Sequence, residues 1–254
     1  MLQSAFYRCA LAAHALDWTS KLSLDGEGRF FAAQLHAWNA STDPTDVYYF
    51  GDVAALRNSQ QLAIAAAGAV AELASAVDGG DPFAPATSIH PRGKQIPGRR
   101  LAAAILARRF GLPVPHASPR YASAAAVAPP AGAAIAVSVA LAGARGTPAP
   151  SLTWVAPSPS SNSSRCPLDL TIPAFMCAGF EVMLADSPFP NGTWVPATAT
   201  IDAAGTGLVL TVATGDAPAG SRAAATRNGY NAWPIVNVYA ADGMLPLLPW
   251  SEAM

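Results

Sequence analysis

The stretch from Ser88 to Arg100, SIHPRGKQIPGRR, and the DGGD turn upstream of it gather residue types used in acid-base chemistry. They hold an imidazole at His90, carboxylates at Asp78 and Asp81, and cations at Arg92 and Lys94. Histidine titrates near neutral pH, so an imidazole held in place can take a proton from a nucleophile and return it to a leaving group. Pro91 restricts the backbone of His90 to extended conformations. A lone loop histidine also serves as a surface or helix-capping residue, so the elements around it decide. Asp81 or Asp78 could orient the imidazole, as could a backbone carbonyl. The alternative for both aspartates is a turn role in a glycine-rich loop. Arg92 and Lys94 suit a ligand carboxylate or simple solvation of a helix start.

The elements that would carry His90 alternate in type. Gln3 to Trp18 has apolar residues at helical spacing, and RFFAAQLHAW (Arg29 to Trp38) is a near-continuous apolar run suited to a strand covered on both faces. GDVAALRNSQQLAIAAAG reads as a helix with Asp52 as N-cap and Gly68 as its stop. AVAELASAV (Ala69 to Val77) suits helix by composition and strand by its position before DGGD. PGRRLAAAILARRFG (Pro97 to Gly111) is the clearest helix, with proline in the first turn, Leu101, Ile105 and Leu106 on one side, and Gly111 past its end. Such alternation implies a parallel α/β sheet, and His90 falls where such sheets place their binding groups, outside the carboxyl ends of strands. From Ala134 onward come short β-prone runs separated by Gly, Pro, Ser and Asn, the pattern of an all-β sandwich. We therefore expect an α/β part over 1–112, a Pro/Ala-rich connection over 113–133 and an all-β part over 134–254. Ala156 to Pro167 reads as a low-complexity loop within the latter.

Composition removes several classes of function. The 254 residues are 52% hydrophobic and 12% charged with a net charge of -1, and basic residues come only in short pairs such as Arg99-Arg100. There is no electrostatic footprint for nucleic acid. The uncharged run from Tyr121 to Ala144 contains Pro129-Pro130, Gly132 and Gly143 and is mostly alanine, which argues against a membrane span. Cys9, Cys166 and Cys177 match no metal-ligand spacing, and no cofactor motif occurs. Cys166 and Cys177 could pair in a secreted protein or stay as small buried thiols. Three sequons, at Asn39, Asn162 and Asn191, lean towards a secretory-pathway glycoprotein, whereas Met1 to Trp18 lacks the basic start and unbroken apolar core of a signal peptide.

Several blocks in one order resemble the sialate O-acetylesterases, a branch of the SGNH-type esterase superfamily. SIHPRGKQIPGRRLA is similar to that family's histidine block, in which Ile-His-Pro is followed by Lys-Gln and a Gly-x-Arg-Leu helix. RFFAAQLHAW resembles its strand ending in Gln-Leu, ALRNSQQLAIA its Leu-Arg-x-x-Gln helix, and AVDGGDPF its Asp-rich loop before the histidine. FEVML, GTWVPATATI and GYNAWPIVNVYAADGMLPLLPW resemble its closing β domain, and the likeness runs collinearly over nearly the whole chain.

The resemblance implies the C-terminal part of an SGNH-like, flavodoxin-like parallel-sheet hydrolase domain followed by an all-β domain. It implies hydrolysis of an acetyl ester on a sialic-acid-like or other O-acetylated sugar, with His90 as base, Asp81 as its candidate partner and a secreted or lysosomal setting. Relatives often carry an aspartate two or three residues before the histidine, where this chain has Ser88 and Thr87. Trp233 and Tyr230 could stack on a sugar or pack in the β core. The family's nucleophile lies in a Gly-x-Ser-Asn segment that does not occur in these 254 residues. We thus expect a transcript extending upstream, and little or no turnover from this chain alone. A protein of another class, one that binds carbohydrate or is structural and has no catalysis, is the alternative reading.

Overall fold

A computed structural model describes residues 2–22, 29–38, 52–85, 90–143, 149–155, 177–186, 188–242 and 244–254 of the chain. The Cys166 pairing and the sequons at Asn39 and Asn162 lie outside these residues. Asn191 is an exposed turn residue and Cys9 is an exposed free thiol. Among the described residues no helix is long and apolar enough to cross a membrane.

The chain divides into two compact units, the first comprising Met1–Ala117 with Asn231–Trp233 and the second most of the remainder. In the first, α1 (Leu2–Leu22) packs on α2 (Asp52–Ala67), and α3 (Gln95–Phe110) packs on a parallel pair formed by β1 (Phe30–Ala33) and β2 (Ala71–Ala74). The pair runs in register from Phe30 opposite Ala71 to Ala33 opposite Ala74. The ambiguous Ala69–Val77 segment resolves into a single 3-10 turn and then β2. Alanine makes this core thin: Ala15, Ala67 and Ala71 with Ile64 form its centre, beside Phe30, Ala32, Val70 and Leu73.

Two expectations change. The first unit has one parallel pair among the described residues, β1 with β2, so a parallel-sheet SGNH core is not shown. The face that α3 buries is also different. Ile105 and Leu106 are exposed, while Arg100 and Ala104 are buried. A methyl group at position 104 fits close to the sheet, and Arg100 goes inward because it has a carboxylate and a carbonyl to meet there. The helix stops as expected: Gly111 is in the left-handed region with φ of 67°, and the Leu112 amide donates to Leu106 O at 3.1 Å.

The second unit contains two four-stranded antiparallel sheets and an antiparallel pair of β5 (Leu152–Trp154) with β13 (Val238–Ala240); the short β6 (Cys177–Ala178) and β12 (Trp233–Pro234) complete the strands. One four-stranded sheet, ordered β3-β4-β10-β9, joins Arg120–Val127, Ala133–Ala142, Gly207–Ala213 and Thr198–Ile201. The other, ordered β14-β11-β7-β8, joins Trp250–Ala253, Ala223–Asn228, Phe180–Leu184 and Trp194–Pro196. Alternation selects the inward residues: Val137, Val139 and Leu141 on β4, Leu208, Leu210 and Val212 on β10, and Val182 and Leu184 on β7 share one apolar core. That is the layered arrangement of a sandwich. Residues 120–127, which the sequence reading leaves in the connection, form β3 and pair with β4 as a hairpin across the turn at Pro130–Gly132. The uncharged Tyr121–Ala144 run is therefore largely two strands.

Candidate functional site

The residues after β1 and after β2 lie side by side at the carboxyl end of the parallel pair, because the Gln34 amide continues the ladder by donating to Ala74 O at 2.8 Å. Gln34 is buried, and its Oε1 accepts from Ser75 Oγ at 2.9 Å while its Nε2 has no hydrogen-bond partner among the described residues. Gln60, projecting from α2, accepts the Leu35 amide at 2.9 Å. Two buried polar side chains thus shape the exit of β1 before the loop chemistry begins.

The DGGD turn follows β2, and both of its aspartates are held by arginines. Asp78 accepts from Arg100 Nη1 at 2.5 Å and Nη2 at 2.7 Å, and Arg100 also donates to Ser75 O at 2.9 Å. Both side chains of this pair are under a tenth exposed. Asp81 accepts from Arg92 three times: from the backbone amide at 3.1 Å, from Nε at 2.7 Å and from Nη2 at 3.0 Å. Its Oδ1 also accepts from the Phe83 amide at 3.2 Å. The Arg92 side-chain hydrogen bonds, ahead of the opposing effect of burial, hold the Asp81 carboxyl below the usual carboxylate range. Asp81 therefore stays ionised at neutral pH.

His90 is exposed, precedes the buried Pro91, and stands two residues from Arg92. The DGGD turn and the histidine segment are brought together through Asp81 and Arg92, with the ion pair taking the carboxylate. Lys94 is exposed at the N-cap position of α3, where its amide donates to Arg92 O at 2.8 Å. Arg92 has its Nε and one terminal nitrogen committed to Asp81, which narrows what it could offer a ligand carboxylate. Tyr230 belongs to the second unit, where burial pushes its phenol upward. Trp233 is fully buried, so its indole presents no face to a sugar; its neighbour is Gly80 of the DGGD turn rather than the β core.

Arg57 was not singled out by sequence reasoning. It is fully buried on α2, and four carbonyls surround its guanidinium: Leu35 O at 3.0 Å from Nε, His36 O at 2.9 Å and Ala232 O at 2.7 Å from Nη2, and Asn231 O at 2.6 Å from Nη1. Burial pushes it down to about 9, so it remains a cation at neutral pH. Its signal was present in the spacing. Arg57 is the only charged residue between Val53 and Ala71, and it shares a helical face with Val53, Gln60, Ile64 and Ala67.

No family model and no curated protein matches the chain. Among solved structures it is similar to the crystal structure of a carbohydrate acetylesterase from Xanthomonas citri, at 23% identity and a TM-score of 0.67. The match covers 97% of this chain and 46% of that one, so the chain spans just under half the length of that esterase. The chain thus shares, over nearly its whole length, the fold of part of a carbohydrate acetylesterase.

Proposed function

We propose that this chain is the histidine-bearing part of a carbohydrate acetyl-ester hydrolase of the sialate O-acetylesterase type. The observation that carries the reading is the position of His90. It lies in the loop beyond the carboxyl end of β2, next to the Asp81–Arg92 pair, in a fold held in common with part of a carbohydrate acetylesterase. In this reading His90 removes the proton of a serine hydroxyl as that oxygen attacks the acetyl carbonyl. It then returns the proton to the departing sugar oxygen. Asp81 serves by anchoring Arg92 and, through it, the histidine segment. The serine belongs to a Gly-x-Ser-Asn segment outside these 254 residues. The substrate is an O-acetylated, sialic-acid-like sugar.

The test is hydrolysis of an aryl acetate and of an O-acetylated sialic acid by the protein expressed from the complete transcript, with and without His90→Gln. A general base contributes about 10²–10⁴-fold. A fall in kcat of that size with unchanged circular dichroism supports the reading. Turnover that survives His90→Gln removes His90 as base. Sugar binding without any turnover favours the non-catalytic alternative.

A further inference from the structure

The mechanism above makes no use of Arg57, Trp233 or the return of residues 231–233 to the first unit. These three features meet at the DGGD turn. Arg57 donates to the carbonyls of Leu35 and His36, which follow β1, and to those of Asn231 and Ala232, 174 and 175 residues after Arg57 in the chain. Ala232 O also accepts the Trp38 amide at 3.1 Å, and the Asn231 side chain closes its own turn by accepting the Ala232 amide at 2.7 Å. The next residue, Trp233, is thereby placed against Gly80. A Cβ built at Gly80 would stand 2.9 Å from Trp233 Cη2 and 2.7 Å from the Ala37 Cβ, so the Gly80 backbone is clasped between the two. Ala37 and Trp233 are both fully buried. One residue further on is Asp81, which holds Arg92 beside His90.

We propose that Arg57 and Trp233 are positioning residues for the His90 segment, Arg57 fixing residues 231–232 so that the Trp233 indole clamps Gly80 and sets the place of Asp81. The inference rests on the reading of His90 as base for its functional meaning, but its physical content is independent of that reading. A guanidinium surrounded by carbonyls needs no carboxylate partner to be directional, because its planar fork fixes several acceptors in one plane. Glycine at position 80 is required by closeness of approach, since any side chain there would displace the indole or Ala37.

The test uses hydrogen exchange of the 254-residue chain, compared with Trp233→Leu, Trp233→Phe, Arg57→Met and Arg57→Lys. Loss of the clamp opens the turn locally, so the non-proline amides of residues 79–85 and 90–94 should exchange about tenfold faster in Trp233→Leu and Arg57→Met. Amides in the middle of α1 should be unchanged. The milder Trp233→Phe and Arg57→Lys should give a smaller rise at the same positions, and they supply the answer if the severe variants do not fold. Unchanged exchange at 79–85 and 90–94, or equal acceleration throughout the first unit, overturns the proposal. His90→Gln separates the two ideas: it should leave exchange at 79–85 unaltered. If His90→Gln also leaves turnover of the full transcript's product intact, the assignment of His90 as base fails while the clamp stands.

Discussion

Replacing Asp78 with asparagine removes one charge from an ion pair that solvent scarcely reaches. Arg100 donates to the two carboxylate oxygens and to Ser75 O, and both side chains are under a tenth exposed. In Asp78→Asn one of the two acceptors becomes an NH2 that faces a guanidinium N–H, and the Arg100 charge stays buried without its counter-ion. Removing one partner of a buried pair costs about 3–5 kcal/mol, whereas an exposed pair contributes about 0–1 kcal/mol. Asp78→Asn should therefore lower the unfolding free energy by about 3–5 kcal/mol. Urea titration followed by far-UV circular dichroism reads this directly, since the three described helices all belong to the first unit. Arg100→Met should cost a similar amount alone, while Asp78→Leu combined with Arg100→Met should cost less than the sum of the two, because the apolar pair leaves no buried charge. A loss below about 1 kcal/mol for Asp78→Asn, or strict additivity in the double variant, would refute the burial argument.

Three further substitutions test other parts of the fold. Burial pushes the Glu252 carboxyl upward, so its stabilising contribution is present in acid and is lost as pH rises through the folded value. Glu252→Gln should be more stable than the parent at neutral pH, with the difference fading below the ordinary glutamate range. The same change should ease ionisation of Tyr121 and Tyr230, both pushed up chiefly by burial and further by the Glu252 charge, as read by ultraviolet titration. Gly111→Ala should cost about 1 kcal/mol by urea titration, since φ is 67° and an added Cβ would meet nothing within 4 Å, leaving backbone strain alone. Leu210→Ala, at a fully buried position in the core shared by the two sheets, should cost about 2–5 kcal/mol in thermal or urea unfolding.

The helices were the most legible part of the chain, since Pro97 near the start of α3 and Gly111 past its end are local signals that act wherever the helix sits. Burial of α3 was not legible. Alanine at most core-facing positions flattens the hydrophobic pattern, so Leu101, Ile105 and Leu106 outweighed Ala104 by composition, although Ala104 is the residue that fits against the sheet. The β-prone runs that form β4, β7 and β10 were readable because short apolar stretches bounded by turn residues mark strands. The start of the β unit was placed too late because Arg120–Val127 is alanine-rich and mostly exposed, leaving little contrast between its faces.

For the candidate site, the sequence alone determined the residue types available: a proline-restricted histidine, an aspartate-flanked glycine turn and the cations Arg92 and Lys94 downstream. It also determined their order along one loop and helix, since these depend only on local spacing and backbone chemistry. Which charge meets which was decided by tertiary structure. Asp81 reaches Arg92, Asp78 reaches Arg100, and Arg57 gathers carbonyls from two segments, 35–36 and 231–232, that are far apart in the chain. Such pairings depend on how β1, β2 and residues 231–233 come together. Buried polar groups must find partners wherever packing places them, and the partner's position in the chain leaves no periodic trace.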